Sequence, residues 1–208
     1  MHPAQLTLSQ IAALSTFSFL ATIVIYTTFQ AIRTLNNYLD ITHISPPLPH
    51  SHLPTASDTE LVQIKHHIAT RTENDIKFFH QVDTDLAKLF HDIVPSAPKL
   101  LITILAYNPL VLLVIFIVKH WYNRPRPFDV DQTINNLPSR LTNNPSFPSG
   151  HSIISASMAK HLSYLYPNKA DDLHDLSQQI GQSRITGGVH YPSDVRGGQQ
   201  MVQDIWWL

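Results

Sequence analysis

The chain has 208 residues, 43% of them apolar and 14% charged, which suffices for one well-buried domain and an appendage. With 14 Lys and Arg against 15 Asp and Glu, bulk charge excludes nucleic acid as a binding partner, so any cationic site must be local. The absence of cysteine excludes disulfides, zinc–thiolate sites and a thiol nucleophile.

Residues 3–32 carry no charged side chain, and residues 11–29 form an apolar run about as long as a bilayer core requires. No Lys or Arg precedes Arg33 and no small-x-small cleavage site follows. An uncleaved membrane anchor over residues 1–39 is therefore expected ahead of an export signal, and a catalytic domain over residues 40–208. Residues 41–58 hold Pro46, Pro47, Pro49 and Pro54 among His and Ser, and form a linker or wrapping arm.

Ser57 or Asp58 can cap a helix reaching about Ile68, with Leu61, Ile64 and Ile68 on one face. A second helix is predicted from Thr72, with Ile76, Phe79, Leu86, Leu89 and Ile93 inward and acidic residues opposite, closed by Pro95 and Pro98. Residues 100–118 contain nineteen uncharged residues, read either as a membrane span or as a central core helix, buried all round and bent at Asn108-Pro109. Residues 128–147 form a loop rich in Asn, Pro, Asp and Ser, long enough to rim a site. A helix from His151 to Tyr166 and another from Asp171 to Ile180 follow, and Gly197-Gly198 is expected to interrupt the last segment. No repeat or strand alternation occurs. The fold class expected is all-α: a single helical-bundle domain with a central apolar helix, plus the N-terminal hydrophobic segment.

Three segments carry chemistry. Phosphoryl transfer asks a protein mainly for positive charge and fixed donors around non-bridging oxygens. Lys119, Arg126 and Arg184 supply the charge, and prolines on either side of Arg126 stiffen its backbone. Pro148-Ser149-Gly150-His151 places Ser149 near an N-cap and leaves amides at a helix start, a ready anion site, with Gly150 permitting close approach and His151 within reach of a leaving oxygen. His190 and Asp194 are four apart, so a carboxylate can fix one ring nitrogen while the other attacks phosphorus. Gly187-Gly188 would let the chain pass close to bound phosphate.

Lys119-x6-Arg126-Pro127, Pro148-Ser149-Gly150-His151 and Ser183-Arg184-x5-His190-x3-Asp194 resemble the three-part signature joining type 2 phosphatidic acid phosphatases, bacterial class A acid phosphatases and vanadium haloperoxidases. The resemblance covers residues 119–194. It implies that His190 forms a phosphohistidine, His151 protonates the leaving group and Asp194 orients His190. Lys119, Arg126 and Arg184, with the Ser149 and Gly150 amides, would hold the phosphate. It also implies no metal and no cofactor, with vanadate able to bind as a phosphate mimic. Between the second and third motifs, Lys160, Lys169, Asp171, Asp172 and Asp175 forbid a pair of membrane spans, which favours the core reading of residues 100–118. Gly181-Gln182-Ser183-Arg184 points the same way, toward the class A acid phosphatases.

The expectation is an extracytoplasmic phosphomonoesterase acting on small phosphorylated substrates, tethered through residues 11–29, with oligomerisation left open. The alternative is a membrane lipid or polyprenyl phosphate phosphatase. A haloperoxidase and an inactive phosphate-binding relative rank lower. The histidine surplus, with His43, His50, His52, His66, His67 and His80, shows no ligand spacing and is read as loop and surface histidines.

Overall fold

The computed structural model describes residues 58–139 and 142–205. The predicted anchor at residues 1–39 lies outside them, as does the 41–58 arm except for Asp58, which opens the first helix. All regular elements among the described residues are helical.

Helix α1, Asp58–Thr70, packs Ile64 inward. Helix α2, Glu73–Ile93, starts on a capping box in which Thr72 and Asp75 satisfy each other's neighbouring amides. It breaks at Asp85, whose φ of −154° and ψ of 67° are not helical, and the Asp85 carboxylate caps the second half through Lys88 N. Helix α3, Lys99–Ala106, and helix α4, Pro109–Tyr122, meet at Asn108. There the Asn108 side chain accepts from Leu110 N and Pro109 occupies the first helical position, so the apolar run is two helices. Helix α5, Pro127–Val130, is one turn. Helix α6, Gly150–Leu165, is capped by Ser149 and followed by a 3-10 turn at Pro167–Lys169. Helix α7, Ala170–Thr186, runs six residues past the Ile180 at which the charged amphipathic pattern stops, and so carries Ser183 and Arg184. Helix α8 is Pro192–Ile205.

The main core lies between α2, α3, α6 and α7. Val82, Leu86, Phe90, Ile102, Met158, Leu162, Leu173 and Ile180 meet there. A smaller cluster joins Ile64, Ile134, Ile185, Tyr191 and Val195.

Three expectations are corrected. The apolar run is not buried all round: Val111, Ile115 and Lys119 face inward, while Leu112, Leu113, Phe116 and Trp121 are 41% to 58% exposed. By length and composition alone the stretch Lys99–Val130 could cross a membrane. Residues 128–147 are in part a packed segment, because Ile134 and Leu137 are buried and Leu137 N donates to Gly187 O. Finally, α8 continues through Gly197-Gly198. A side chain at Gly197 would meet the Phe147 ring at 2.5 Å and one at Gly198 would meet Ser149 O at 2.9 Å, so the glycines mark close packing.

Candidate active site

The turn between α7 and α8 holds the centre of the site. His190 is 4% exposed and Asp194, in the first turn of α8, is fully buried. His190 Nδ1 lies 3.2 Å from Asp194 Oδ2. The same oxygen accepts from Tyr191 N at 2.9 Å and from the Ser146 hydroxyl, while Arg124 donates to Oδ1 at 2.6 Å. With four donors on two oxygens the carboxylate cannot rotate, so the imidazole has a fixed orientation and Nε2 is the ring nitrogen turned toward the site.

The glycines before His190 serve the protein. A side chain at Gly187 would lie 2.1 Å from the Phe79 ring, and Gly188 takes φ of 73°, which L side chains rarely adopt. Packing against Phe79 and the chain reversal at Gly188 each require glycine in their own right.

His151 sits in the first turn of α6, with Nε2 3.5 Å from Asp83 Oδ1. Arg184 Nη2 lies 2.8 Å from the same oxygen, a close ion pair, and its guanidinium stacks 3.8 Å over the Phe79 ring. One carboxylate from α2 thus gathers the α6 histidine and the α7 arginine. The Ser149 amide, expected on phosphate, donates instead to Asp194 O at 3.0 Å, and the Ser149 hydroxyl receives Ser152 Oγ at 2.9 Å. Ser149 therefore ties α6 to α8. At Gly150 a Cβ would make only ordinary contacts, with Ile115 and with Lys119 Cε at 4.0 Å, so the space near its amide borders the lysine.

Lys119, 5% exposed at the end of α4, donates to Pro145 O at 2.6 Å and Ser146 O at 3.2 Å. Arg126 donates from Nε and Nη2 to Asn144, from Nη1 to Val189 O at 2.8 Å, and holds Nη1 3.3 Å from His190 Nε2. These two cations strap the segment that precedes α6 and flank the free face of His190. An anion there would exchange carbonyl partners for stronger charge-assisted bonds.

Burial is the main cause that lowers His190, to about 3. Its bond to Asp194 acts the other way, and Arg126 and Lys119 add to the lowering. His151 is held well below its ordinary value, first by burial and then by Arg184, His190, Lys119 and Arg126. Burial would raise Asp194, but His190, Arg124 and Ser146 outweigh it and keep the carboxyl below its usual range. Above both values the pair is neutral imidazole beside carboxylate.

All eight expected residues, Lys119, Arg126, Ser149, Gly150, His151, Arg184, His190 and Asp194, come together. Asp83, Glu60 and Arg124 join them without having been anticipated. Asp83 stands four residues after Phe79 and three before Leu86, and Glu60 four before Ile64, so both occupy the inward faces of their helices. That spacing was the available signal.

Residues 99–201 match the model of the PAP2 superfamily. The chain is 42% identical over 86 residues to an acid phosphatase of Zymomonas mobilis, covering 40% of this chain and 33% of that protein. It is 36% identical over 84 residues to a non-specific acid phosphatase of Salmonella typhimurium, covering 39% and 34%. A non-specific acid phosphatase of Providencia stuartii is 36% identical over 80 residues, covering 37% and 32%. The chain thus spans about a third of the length of these curated relatives. Among solved structures, a transmembrane PAP2 type phosphatidylglycerolphosphate phosphatase from Bacillus subtilis shares the fold, with a TM-score of 0.55 and 20% identity over 86% of this chain and 93% of that one. All three motif segments fall inside the residues that match the PAP2 superfamily model.

Proposed function

We propose that the protein hydrolyses phosphoric monoesters through a phosphohistidine at His190. The observation carrying this reading is the pinned His190: Nδ1 held by an immobilised carboxylate, Nε2 facing the Arg126 guanidinium at 3.3 Å. Nε2 attacks phosphorus as the bond to the leaving oxygen breaks, and His151 gives that oxygen its proton. Water then attacks the phosphohistidine, His151 takes the water's proton, and inorganic phosphate leaves with His190 neutral again. Arg126, Arg184 and Lys119 balance the charge on the non-bridging oxygens, so the reaction runs equally with a chelator present. Vanadate competes with substrate. The matched acid phosphatases support a small phosphorylated substrate, and residues 11–29 support an extracytoplasmic enzyme on a membrane tether.

His190→Ala should abolish both turnover of p-nitrophenyl phosphate and acid-quenched capture of labelled phosphoenzyme. Parental turnover in that variant sinks the proposal.

A second reading, hydrolysis of a bilayer-borne phosphate ester, is favoured by the exposed Leu112, Leu113, Phe116 and Trp121 on α4. Combined Leu113→Glu and Phe116→Glu should lower turnover of a long-chain lipid phosphate in mixed micelles about tenfold while sparing p-nitrophenyl phosphate. Equal rates on both substrates, before and after the change, count against it.

A further inference from the structure

Arg124 belongs to the same proline-stiffened stretch as Arg126, yet it points away from the space beside His190 Nε2. Nη1 donates to Asp194 Oδ1 at 2.6 Å and to Ser193 Oγ at 2.8 Å, and Nη2 to Glu60 Oε2 at 3.0 Å. Glu60 in turn accepts from Ser193 N at 2.8 Å and Ser193 Oγ at 3.0 Å. The guanidinium lies 3.9 Å over the Tyr191 ring, and the Arg124 and Glu60 side chains are 4% and 9% exposed. A planar fork bonded through both terminal nitrogens and stacked on one face holds one orientation.

From this geometry we infer that Glu60 and Arg124 are positioning residues for the proposed histidine chemistry, acting through Asp194 to aim the attacking nitrogen of His190. The inference rests on the phosphohistidine reading above. Three features separate it from simple packing. Arg124 takes Asp194 Oδ1 and so leaves Oδ2 to His190, Tyr191 N and Ser146. Glu60 grips Ser193, the residue before Asp194, so both ends of the clamp fall on the catalytic turn. Glu60, Arg124 and Asp194 alternate in sign on the way to His190, so removing the Glu60 charge and removing the Arg124 charge change the field at the imidazole in opposite directions.

His190 is faced by Asp194 from its own segment, Arg126 from the loop after α4, Lys119 from α4 and His151 from α6, with Arg184 and Asp83 beyond His151. Of these only Asp194 contacts Arg124, through the bond the substitution removes, and the charges of the others are unchanged, so the direction of each effect is defined. Losing the Arg124 charge leaves Asp194 acting undiminished on protonated His190, and the acid limb of the kcat/KM profile moves to higher pH. Losing the Glu60 charge leaves Arg124 unbalanced, and the limb moves to lower pH.

The test uses the full chain, with Arg124→Gln, Glu60→Gln and the double variant. Arg124→Gln should lower kcat and the rate of phosphoenzyme formation together by about tenfold, as loss of an outer partner commonly does. KM and the inhibition constant of orthovanadate should stay within about twofold, since the phosphate-facing cations are untouched. Glu60→Gln should cost about threefold, and the double variant no more than Arg124→Gln alone, because the residues act as a unit. Parental kcat in Arg124→Gln overturns the inference. So does vanadate affinity falling in step with kcat, which would place Arg124 on the phosphate, or a loss of kcat with the acid limb unmoved, which is packing. If Arg124→Gln does not fold, Glu60→Gln decides: a lower kcat with the limb shifted down supports the inference, and an unmoved limb overturns it. Turnover surviving in His190→Ala brings down the phosphohistidine reading together with this one. A normal Arg124→Gln in a protein that His190→Ala silences brings down this inference alone.

Discussion

The two histidines face one site from differently built halves. On the α8 side, His190 is held by a carboxylate with four donors, itself backed by Arg124 and Glu60. On the α2 side, His151 has Asp83 at 3.5 Å, and that oxygen is shared with Arg184 at 2.8 Å. A nucleophile works from one position and gains from being fixed, because misplacement by an ångström is costly. A general acid that later serves as base must gain and lose a proton, and a longer contact leaves its charge to be set by whatever occupies the site. Burial and then the cations around it hold His151 well below its ordinary value. A bound phosphate dianion offsets those cations and raises His151. The base limb of kcat should therefore lie at higher pH than the base limb of kcat/KM.

His151→Ala is the strongest way to break this division of labour. It should lower turnover of an alkyl phosphate about a thousandfold, and that of p-nitrophenyl phosphate far less, since an activated leaving group departs without a proton. Equal losses on both substrates would mean that His151 holds phosphate and is not the acid. Asp83→Asn sharpens the contrast. It removes the counter-charge of Arg184 and His151 at once, so kcat/KM should fall about a hundredfold and the base limb should move to lower pH. A fall in kcat/KM with the limb unmoved would assign Asp83 to Arg184 only.

The motif residues were legible because each has a chemical reason for its type and its local spacing. His190 and Asp194 sit four apart, and Ser149 caps the helix that carries His151. Asp83 and Glu60 were not, because an acidic residue on an amphipathic helix reads as part of its solvated face until a buried cation from elsewhere claims it. The cation that claims Glu60 is Arg124, 64 residues away, and the one that claims Asp83 is Arg184, on α7. Fold class followed from helical periodicity, whereas burial of the apolar run did not. Composition records that Leu112, Leu113 and Phe116 are apolar and says nothing of which side of α4 meets a neighbour.

The smallest expected effect concerns stability, and it again separates the halves. His190 is lowered by burial to about 3, so between that value and the ordinary histidine range the unfolded chain binds more protons than the folded one. Stability contributed by neutral His190 is then complete above the unfolded value and drains away as pH falls. Asp194, also held below its ordinary value, has the same sign but loses its contribution only at still lower pH. Acidification from pH 7 to pH 5 should therefore cost about 2 kcal/mol through His190. His190→Asn, measured by urea unfolding at both pH values, should show a drop smaller by about that amount. An unchanged drop would mean that His151 and the remaining buried groups, and not the pinned nucleophile, carry the acid sensitivity.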